Sequence, residues 1–156
     1  MRMPEQVLIF PYRIKNRDEI EYAIFLREDL NVWQGIAGGV EQGETPIEAA
    51  IRETFEEANI KNKDNFIKLD SYTSMPVTNV TKSFIWGKNV YIIKEYSFGV
   101  NVGDNKIHIS DEHKKYIWCN YDKAMKMLHW DSNKSALWEL NERLKRRNKW
   151  DKHFKL

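Results

Sequence analysis

Apolar and polar positions divide the chain into short β-prone segments. The first segment carries Val7, Ile9, Tyr12 and Ile14, and the polar residues 15–19 separate it from the next. Two such segments joined by a short polar turn predict a hairpin or two neighbouring strands. Four further β-prone segments follow it: Ile20–Leu26, Phe66–Thr73, Ser83–Tyr96 and Lys115–Cys119.

A helix is predicted from Thr45 onwards. Thr45 is a good N-cap, Pro46 suits the first helical position, and Glu48 completes a capping box. With about 100° of rotation per residue, one arc of this helix is apolar and is expected to pack on the sheet. That arc contains Ile47, Ala50, Ile51, Thr54 and Ala58.

Two more helices are predicted near the end of the chain. The segment Tyr121–Leu128 is a short candidate, and a longer one follows the N-cap candidates Asp131 and Ser132. Its apolar residues at helical spacing are Ala136, Leu137, Leu140 and Leu144. Mixed strands and helices without repeats or linkers predict one α+β domain over residues 1–156, ending in a basic helix and tail at about 132–156.

Composition agrees with one folded domain. The chain has 156 residues, of which 42% are hydrophobic and 31% charged, so it can close a core and is not expected to be disordered. Cys119 is the only cysteine, which excludes an internal disulfide and a cysteine-rich zinc site. The apolar stretch Val7–Phe10 is too short for a signal peptide or a membrane span. We therefore expect a cytoplasmic protein with no membrane partner.

Charge is distributed unevenly around a formal net charge of +2. Residues 143–156 carry seven Lys or Arg and one Asp, which gives this tail +6 and leaves −4 on residues 1–142. Basic residues in the last turns of a helix complement its dipole and stay solvated. Because no RNA-binding motif or zinc-finger spacing accompanies them, we expect no nucleic-acid partner.

Four of the seven glycines lie within nine residues, at Gly35, Gly38, Gly39 and Gly43. Such a loop allows backbone N–H groups to approach an anionic ligand closely. Residues 38–45 have the glycine spacing of a phosphate-binding Walker A loop, but Glu44 occupies the lysine position. A carboxylate there repels phosphate unless a cation lies between them, so a nucleotide triphosphatase of the P-loop type is not expected.

Three carboxylates lie side by side on the predicted helix. Glu53, Glu56 and Glu57 occupy an arc next to the apolar one. One interpretation is a solvated acidic face. However, like charges at this spacing cost roughly 0.2–0.5 kcal/mol per pair, and Arg52 can balance only part of the set. Several hard oxygen ligands suit Mg²⁺ or Mn²⁺, which would remove this cost.

The spacing of these residues resembles the Nudix box, G-x5-E-x7-R-E-U-x-E-E-x-G-U, in which U is a bulky aliphatic residue. The matching residues are Gly38, Glu44, Arg52, Glu53, Glu56, Glu57 and Ile60. Two positions depart from the pattern. Thr54 replaces an aliphatic residue but lies in the apolar arc, and Asn59 replaces a glycine at a position where Asn suits a left-handed C-cap. Neither change affects a carboxylate, so we expect an active enzyme.

The resemblance implies a mixed β-sheet between helices, an α/β/α sandwich, and hydrolysis of a nucleoside diphosphate linked to another group. It assigns Glu53, Glu56 and Glu57 as metal ligands, with Glu44 closing the loop or joining the metal shell through water. Arg52 is expected to orient the carboxylates. Either Glu56 or Glu57 could be the general base, and the sequence does not decide between them.

Segments outside the box resemble the branch of bacterial dATP and dihydroneopterin triphosphate pyrophosphohydrolases. They include 26–29, 33–35, 111–113 and 130–133. In such enzymes a distant glutamate often reaches the metal or the water, and Glu112 is the candidate here, with a solvated turn acid as the alternative. His113 could orient the loop around Glu112.

Four residues are candidates for substrate contacts. Arg27 is expected to contact phosphate or to pair with Glu28 or Asp29. Trp33 could lie near the base or pterin, although a core position is the more common role of such a residue. The backbone of Gly38 and Gly39 completes the set.

Three functions remain open at this point. The first is a Mg²⁺-dependent hydrolase that splits a nucleoside or pterin triphosphate into monophosphate and pyrophosphate, with Mn²⁺ as an alternative metal. The second is a dinucleoside polyphosphate hydrolase. The third is a Nudix-fold module that binds a nucleotide without cleaving it. The sequence leaves the physiological substrate, the number of metals and the oligomeric state undetermined.

Overall fold

The described residues form seven strands and three α-helices. The computed structural model describes residues 1–16 and 19–154, with side chains described as far as Arg147. The strands are β1 Arg2–Asn16, β2 Glu19–Arg27, β3 Trp33–Gln34, β4 Ile36–Glu41, β5 Phe66–Pro76, β6 Ile92–Asn101 and β7 His113–Cys119. The helices are α1 Pro46–Ala58, α2 Tyr121–Met127 and α3 Asp131–Phe154, with a short 3-10 helix at Val77–Asn79.

The strands form one mixed sheet. Its order is β3-β2-β1-β6-β5, while β4 also pairs with β1 and β7 also pairs with β2. Strands β1 and β2 form the predicted hairpin, with Tyr12 opposite Tyr22. Strand β1 runs parallel to β6 and antiparallel to β4, so it lies at the centre of the sheet.

Each face of the sheet carries its own hydrophobic cluster. On one face α1 contributes Ala49, Ala50 and Ala58 to a cluster around Val7 and Phe98. On the other face, Leu137 and Leu140 of α3 pack with Leu8 and Phe10, and α2 contributes Ala124. The predicted α+β sandwich, with a mixed sheet between helices, is therefore confirmed. Cys119 is buried in the cluster on the α3 face.

Two strand predictions were wrong. The glycine segment was predicted to be a loop, but Gly38 and Gly39 lie in β4 because pairing with β1 places Gly38 opposite Val7. The strand predicted at 83–96 begins only at Ile92. The preceding residues form turns, in which Gly87 adopts a φ of +100° and its N–H bonds to the Phe84 carbonyl.

Helix α1 begins and ends as the sequence predicts. Thr45 and Glu48 form the capping box, and Asn59 is a left-handed C-cap with φ 55°. Its buried face differs from the prediction: Ile47 is 37% exposed, whereas Glu53 and Glu57 are buried. The helix is thus rotated so that two carboxylates, rather than Ile47, face the sheet.

The last helix begins at Asp131 itself rather than after an N-cap at Asp131 or Ser132. Within it, Arg143 pairs with Glu139 and Asp70 on the protein surface. The remainder of the predicted basic tail, from Asn148, lies beyond the described side chains, and residues 155–156 lie outside the described residues altogether. No helix in the described part of the chain is both long and apolar enough to span a membrane.

Candidate active site

A cavity of about 590 Å³ opens where α1 meets the edge of the sheet. One end of it is acidic and is lined by residues from four elements and one turn. These are Arg27 at the end of β2, Gly38 and Gly39 of β4, Glu53 and Glu57 of α1, Glu112 in the turn before β7, and His113 of β7. Six of the seven are candidates that the sequence or the resemblance singled out for metal, substrate or catalysis.

Arg52 connects α1 to the turn that precedes it. Its guanidinium donates to both carboxylate oxygens of Glu44, at 2.7 and 2.9 Å, and to the Gly39 carbonyl at 2.8 Å. It also donates to Glu53 at 2.8 Å. The Arg52 hydrogen bonds are the main reason that the pKa of Glu44 lies below its ordinary value. This arrangement matches the orienting role that the resemblance implies for Arg52.

Gly38 makes room for a carboxylate. A Cβ atom at this position would collide with the carboxyl group of Glu53. Any other residue at 38 would therefore displace Glu53 from the cavity wall. The requirement for glycine here comes from close approach, because Gly38 lies within an ordinary β-strand.

Glu57 is the most deeply buried carboxylate of the acidic end, with 3% of its surface exposed. Burial raises its pKa to about 10, and the neighbouring carboxyl groups of Glu112 and Glu53 add to the shift. Burial also raises the pKa of Glu53. Glu53, Glu57 and Glu112 are thus crowded carboxyl groups that disfavour one another's ionisation, and that arrangement favours a bound cation.

His113 supports Glu57 from the side of β7. Its Nε2 and the Glu57 Oε2 share a hydrogen bond of 3.0 Å, and the ring stacks at a tilt against Phe25. Burial lowers the pKa of His113, so the ring is neutral. When Glu57 is ionised, the Nε2–H is the donor and fixes the direction of the carboxylate.

Besides Arg52, three candidates lie outside the cavity lining. Glu56 has 52% of its side chain exposed and contacts Arg52 at 3.3 Å. Glu44 accepts the Glu41 N–H at 2.8 Å and so closes the turn after β4. Trp33 packs with the hydrophobic cluster under α3, near Leu128.

Arg27 lines the cavity and is also paired. Its guanidinium donates to both oxygens of Asp29, at 2.8 and 2.6 Å. The sequence predicts a phosphate contact or, alternatively, a salt bridge for Arg27. The position of Arg27 allows both, because the guanidinium lines the cavity while it is paired with Asp29. Asp29 holds the guanidinium at the mouth of the cavity.

The acidic end has the donor chemistry of a hard divalent cation. Within the described residues, no group of three or more His, Cys, Asp and Glu side chains already stands in a metal-binding arrangement. Glu53 turns towards Arg52, and Glu57 towards His113. Yet Glu53, Glu57 and Glu112 are close enough to raise the pKa of Glu57, and all their donors are carboxylate oxygens. The residues therefore fit such an ion.

The cavity is also lined by polar residues that sequence reasoning did not assign to the site. They are Arg2, Gln6, Gln34, Glu95, Trp130, Ser132 and Asn133. Trp130 donates from Nε1 to Gln34 at 2.9 Å, and Asn133 accepts the Gly35 N–H at 2.8 Å. In the sequence, residues 130–133 carry only a resemblance to the pyrophosphohydrolase branch and no predicted role. Gln6 and Glu95 are too far apart along the chain for any local spacing pattern to connect them.

Comparison with known proteins identifies the family. Residues 11–138 match the NUDIX domain. The chain belongs to the Nudix family. The predicted family, and with it the predicted class of enzyme, a hydrolase of phosphoanhydride bonds, is thereby confirmed. Nudix hydrolases generally use divalent metal ions.

Three proteins similar to this Nudix chain carry different names, and one of them bears the name of the predicted branch. A NUDIX hydrolase structure from Listeria monocytogenes is 36% identical, with 94% of this chain and 97% of that chain covered and a TM-score of 0.82. Dihydroneopterin triphosphate diphosphatase of Haemophilus influenzae is 27% identical over 71% of this chain and 72% of its own length. Bis(5'-nucleosyl)-tetraphosphatase (asymmetrical) of Rattus norvegicus is 26% identical over 77% and 78%.

Proposed function

We propose that the protein is a Mg²⁺-dependent pyrophosphohydrolase that converts a nucleoside or pterin triphosphate into the monophosphate and pyrophosphate. The observation that carries this proposal is the group of three carboxylates, Glu53, Glu57 and Glu112, beside Arg27 at one end of the cavity. The relative from H. influenzae, named a dihydroneopterin triphosphate diphosphatase, supports the same reaction.

Glu53 and Glu57 are the proposed metal ligands, Glu112 lies beside them, and the exposed Glu56 joins them only if α1 or its side chain adjusts. When bound, Mg²⁺ supplies the positive charge that allows a polyphosphate to approach a carboxylate cluster. Arg27 adds a second cation at the mouth of the cavity, where it can contact the outer phosphates.

The other residues prepare the site for hydrolysis. Arg52 holds the Oε1 of Glu53 and His113 holds the Oε2 of Glu57, which limits how far either carboxylate must move when metal and substrate bind. Glu112 lies at the exposed side of the cluster, and we assign to its carboxylate the proton of the attacking water. Water adds to the α-phosphorus, the bond to the bridging oxygen breaks, and pyrophosphate leaves.

The test is a product analysis over a panel of substrates. The purified protein is incubated with dATP, dGTP, dihydroneopterin triphosphate and diadenosine tetraphosphate, in Mg²⁺ and in EDTA, and products are separated by ion exchange. We expect a monophosphate and pyrophosphate in equal amounts, only with Mg²⁺. Release of orthophosphate alone, or turnover that persists in EDTA, would contradict the proposal.

A dinucleoside polyphosphate hydrolase is the second candidate, favoured by the similarity to the tetraphosphatase from R. norvegicus. The same carboxylates would serve it, because the bond type is the same and only the leaving group differs. Diadenosine tetraphosphate would then yield ATP, with little pyrophosphate released from the triphosphates. Tight nucleotide binding without any turnover would instead favour a non-catalytic module.

A further inference from the structure

Glu95 is a buried carboxylate on the cavity wall, away from the acidic end. It lies in β6 and is 3% exposed. Its Oε2 accepts a hydrogen bond of 2.6 Å from Gln6, whereas its Oε1 is buried and has no hydrogen-bond partner among the described residues. A buried acceptor without a partner is costly, so its presence in a cavity indicates a ligand that supplies the donor.

The neighbours of Glu95 leave it in the role of an acceptor. Arg2 donates to the Gln6 side-chain oxygen at 3.2 Å, which directs the Gln6 amide nitrogen towards Glu95. Arg2 thus donates to Gln6, Gln6 donates to Glu95, and Glu95 is the last acceptor. Burial raises the pKa of Glu95, while Gln6 and the Ser132 hydroxyl oppose that rise. Hydrogen bonds donated to Glu95 favour its ionised form, which only accepts hydrogen bonds, so a ligand that donates to Oε1 would stabilise the charge that burial disfavours.

The position of Glu95 suits contact with the far end of a nucleotide. Gly39, Gln6 and Glu95 are register partners across β4, β1 and β6. Two strand spacings separate Gly39 from Glu95, which is about 10 Å. Gly39 follows Gly38, which contacts Glu53 of the acidic end. A ligand whose phosphates lie at the acidic end therefore has its heterocycle within reach of Glu95.

We propose that Glu95 determines substrate specificity by accepting hydrogen bonds from the 2-amino-4-oxopyrimidine edge of a guanine or a pterin. This edge presents an exocyclic amino group beside a ring N–H, and both are donors that match carboxylate oxygens. Adenine presents a donor beside an acceptor, and the latter would face Glu95 unpaired. The inference depends on the proposed function for the placement of the phosphates.

The kinetic test removes one donor from the substrate or the acceptor from the protein. Values of kcat/KM are measured for dGTP, for dITP, which lacks the 2-amino group, and for dihydroneopterin triphosphate. A hydrogen bond to a charged group corresponds to a preference of about 10- to 100-fold for dGTP over dITP. The preference should disappear in Glu95→Gln and persist in Glu5→Gln, a matched change on β1 outside the cavity lining.

The two pyrimidinone sources are separated by the same measurements. A loss in Glu95→Gln that is confined to dihydroneopterin triphosphate assigns the site to a pterin, and a loss confined to dGTP assigns it to guanine. Equal kcat/KM for dGTP and dITP in the unaltered protein, or a preference that survives Glu95→Gln, overturns the proposal. The first comparison requires no variant, so it remains decisive if Glu95→Gln does not fold.

A binding measurement distinguishes failure of this inference from failure of the proposed function. The dissociation constants of dGMP and dIMP are measured by calorimetry with the unaltered protein. If no triphosphate is hydrolysed but dGMP binds about 10-fold or more tightly than dIMP, the specificity holds and the proposed reaction fails. If hydrolysis occurs but the two monophosphates bind equally, the reaction holds and Glu95 has no such role.

Discussion

Adjacent glutamates can have unequal roles, and Glu57 and Glu56 show the contrast at the scale of single residues. Glu57 is buried in the acidic end, while Glu56 lies largely in solvent. We expect Glu57→Gln to lower kcat by at least about 100-fold, because it removes a proposed metal ligand. The loss of kcat in Glu56→Gln should be smaller than the loss in Glu57→Gln, by a factor of about 10 or more, in the same Mg²⁺-dependent assay.

The comparison of these two variants includes its own control for folding. Gln can still accept a hydrogen bond from His113 and, unlike Glu57, it needs no proton to stay neutral beside Glu53 and Glu112. The melting temperature of Glu57→Gln without metal should therefore equal or exceed that of the unaltered protein. An active Glu57→Gln enzyme would contradict the metal assignment, and equal losses in both variants would contradict the distinction drawn from burial.

Thr54 allows a second prediction for a single residue. Its side chain is fully buried, and its Oγ1 has no hydrogen-bond partner in the described part of the chain. Thr54→Val keeps the shape and removes the unsatisfied hydroxyl, so the free energy of unfolding should rise by about 1 kcal/mol in urea titrations. The same change at Thr81, whose hydroxyl donates to the Ser83 carbonyl, should lower it.

Single residues also show where sequence reasoning reaches its limit. The glutamates of α1 could be found because helical spacing places Glu53 and Glu57 on one side, whereas the contacts of Arg52 with Glu44 and Glu53 do not follow from that spacing. Gln6 and Glu95 are 89 positions apart, and only the parallel pairing of β1 and β6 brings them together. A pairing between distant strands leaves no local signal in either segment.

At the scale of elements, the end of α1 depends on one backbone conformation. Asn59 has φ 55° and ψ 31°, and its N–H bonds to the Phe55 carbonyl. A residue with a Cβ and no local side-chain bonding disfavours this conformation by about 1–2 kcal/mol. Asn59→Ala should therefore lower the free energy of unfolding by about 1 kcal/mol or more, as measured by chemical denaturation.

Asn59→Gly is the matched variant for that experiment. Glycine adopts positive φ without strain and is the residue that the Nudix box places here. Its stability should lie within about 0.5 kcal/mol of the unaltered protein. If Ala and Gly destabilise equally, the side chain of Asn59 rather than its backbone conformation is what matters.

Elements with strong local signals were predicted well. Helix α1 has a capping box and a left-handed C-cap, and the β1–β2 hairpin has a polar turn between apolar runs. By contrast, β4 contains two glycines and depends on pairing with β1, so its sequence does not resemble a strand. Buried carboxylates on α1 also run against the hydrophobic pattern, which is expected where a site overrides packing.

At the scale of the whole molecule, the sheet separates two hydrophobic clusters. The cavity is lined by residues from the helices on both faces of the sheet. Helix α1 packs on one face, and α3 packs on the other. Glu53 and Glu57 line the cavity from α1, while Ser132 and Asn133 line it from the beginning of α3. The packing of α1 on the sheet therefore fixes the distance between the acidic end and Glu95, which lies in β6.

Protons and metal should compete for the same site, which makes the stability of the whole molecule depend on pH. The pKa of Glu57 is raised from 4.5 to about 10. Between these values the folded protein keeps a proton that the unfolded chain releases, so the free energy of unfolding falls as pH rises. One proton corresponds to about 1.4 kcal/mol per pH unit, or up to about 2 kcal/mol from pH 7 to 8.5.

The measurement is urea denaturation in EDTA at several values between pH 7 and 8.5. This window avoids His113, whose lowered pKa acts below 6.5, and Cys119, whose raised pKa acts above 9.0. Glu57→Gln should flatten the slope because the titrating group is gone. Added Mg²⁺ should stabilise the unaltered protein more at pH 8.5 than at pH 7, since a carboxylate must lose its proton to bind metal. A slope that Glu57→Gln leaves unchanged would place the responsible proton elsewhere.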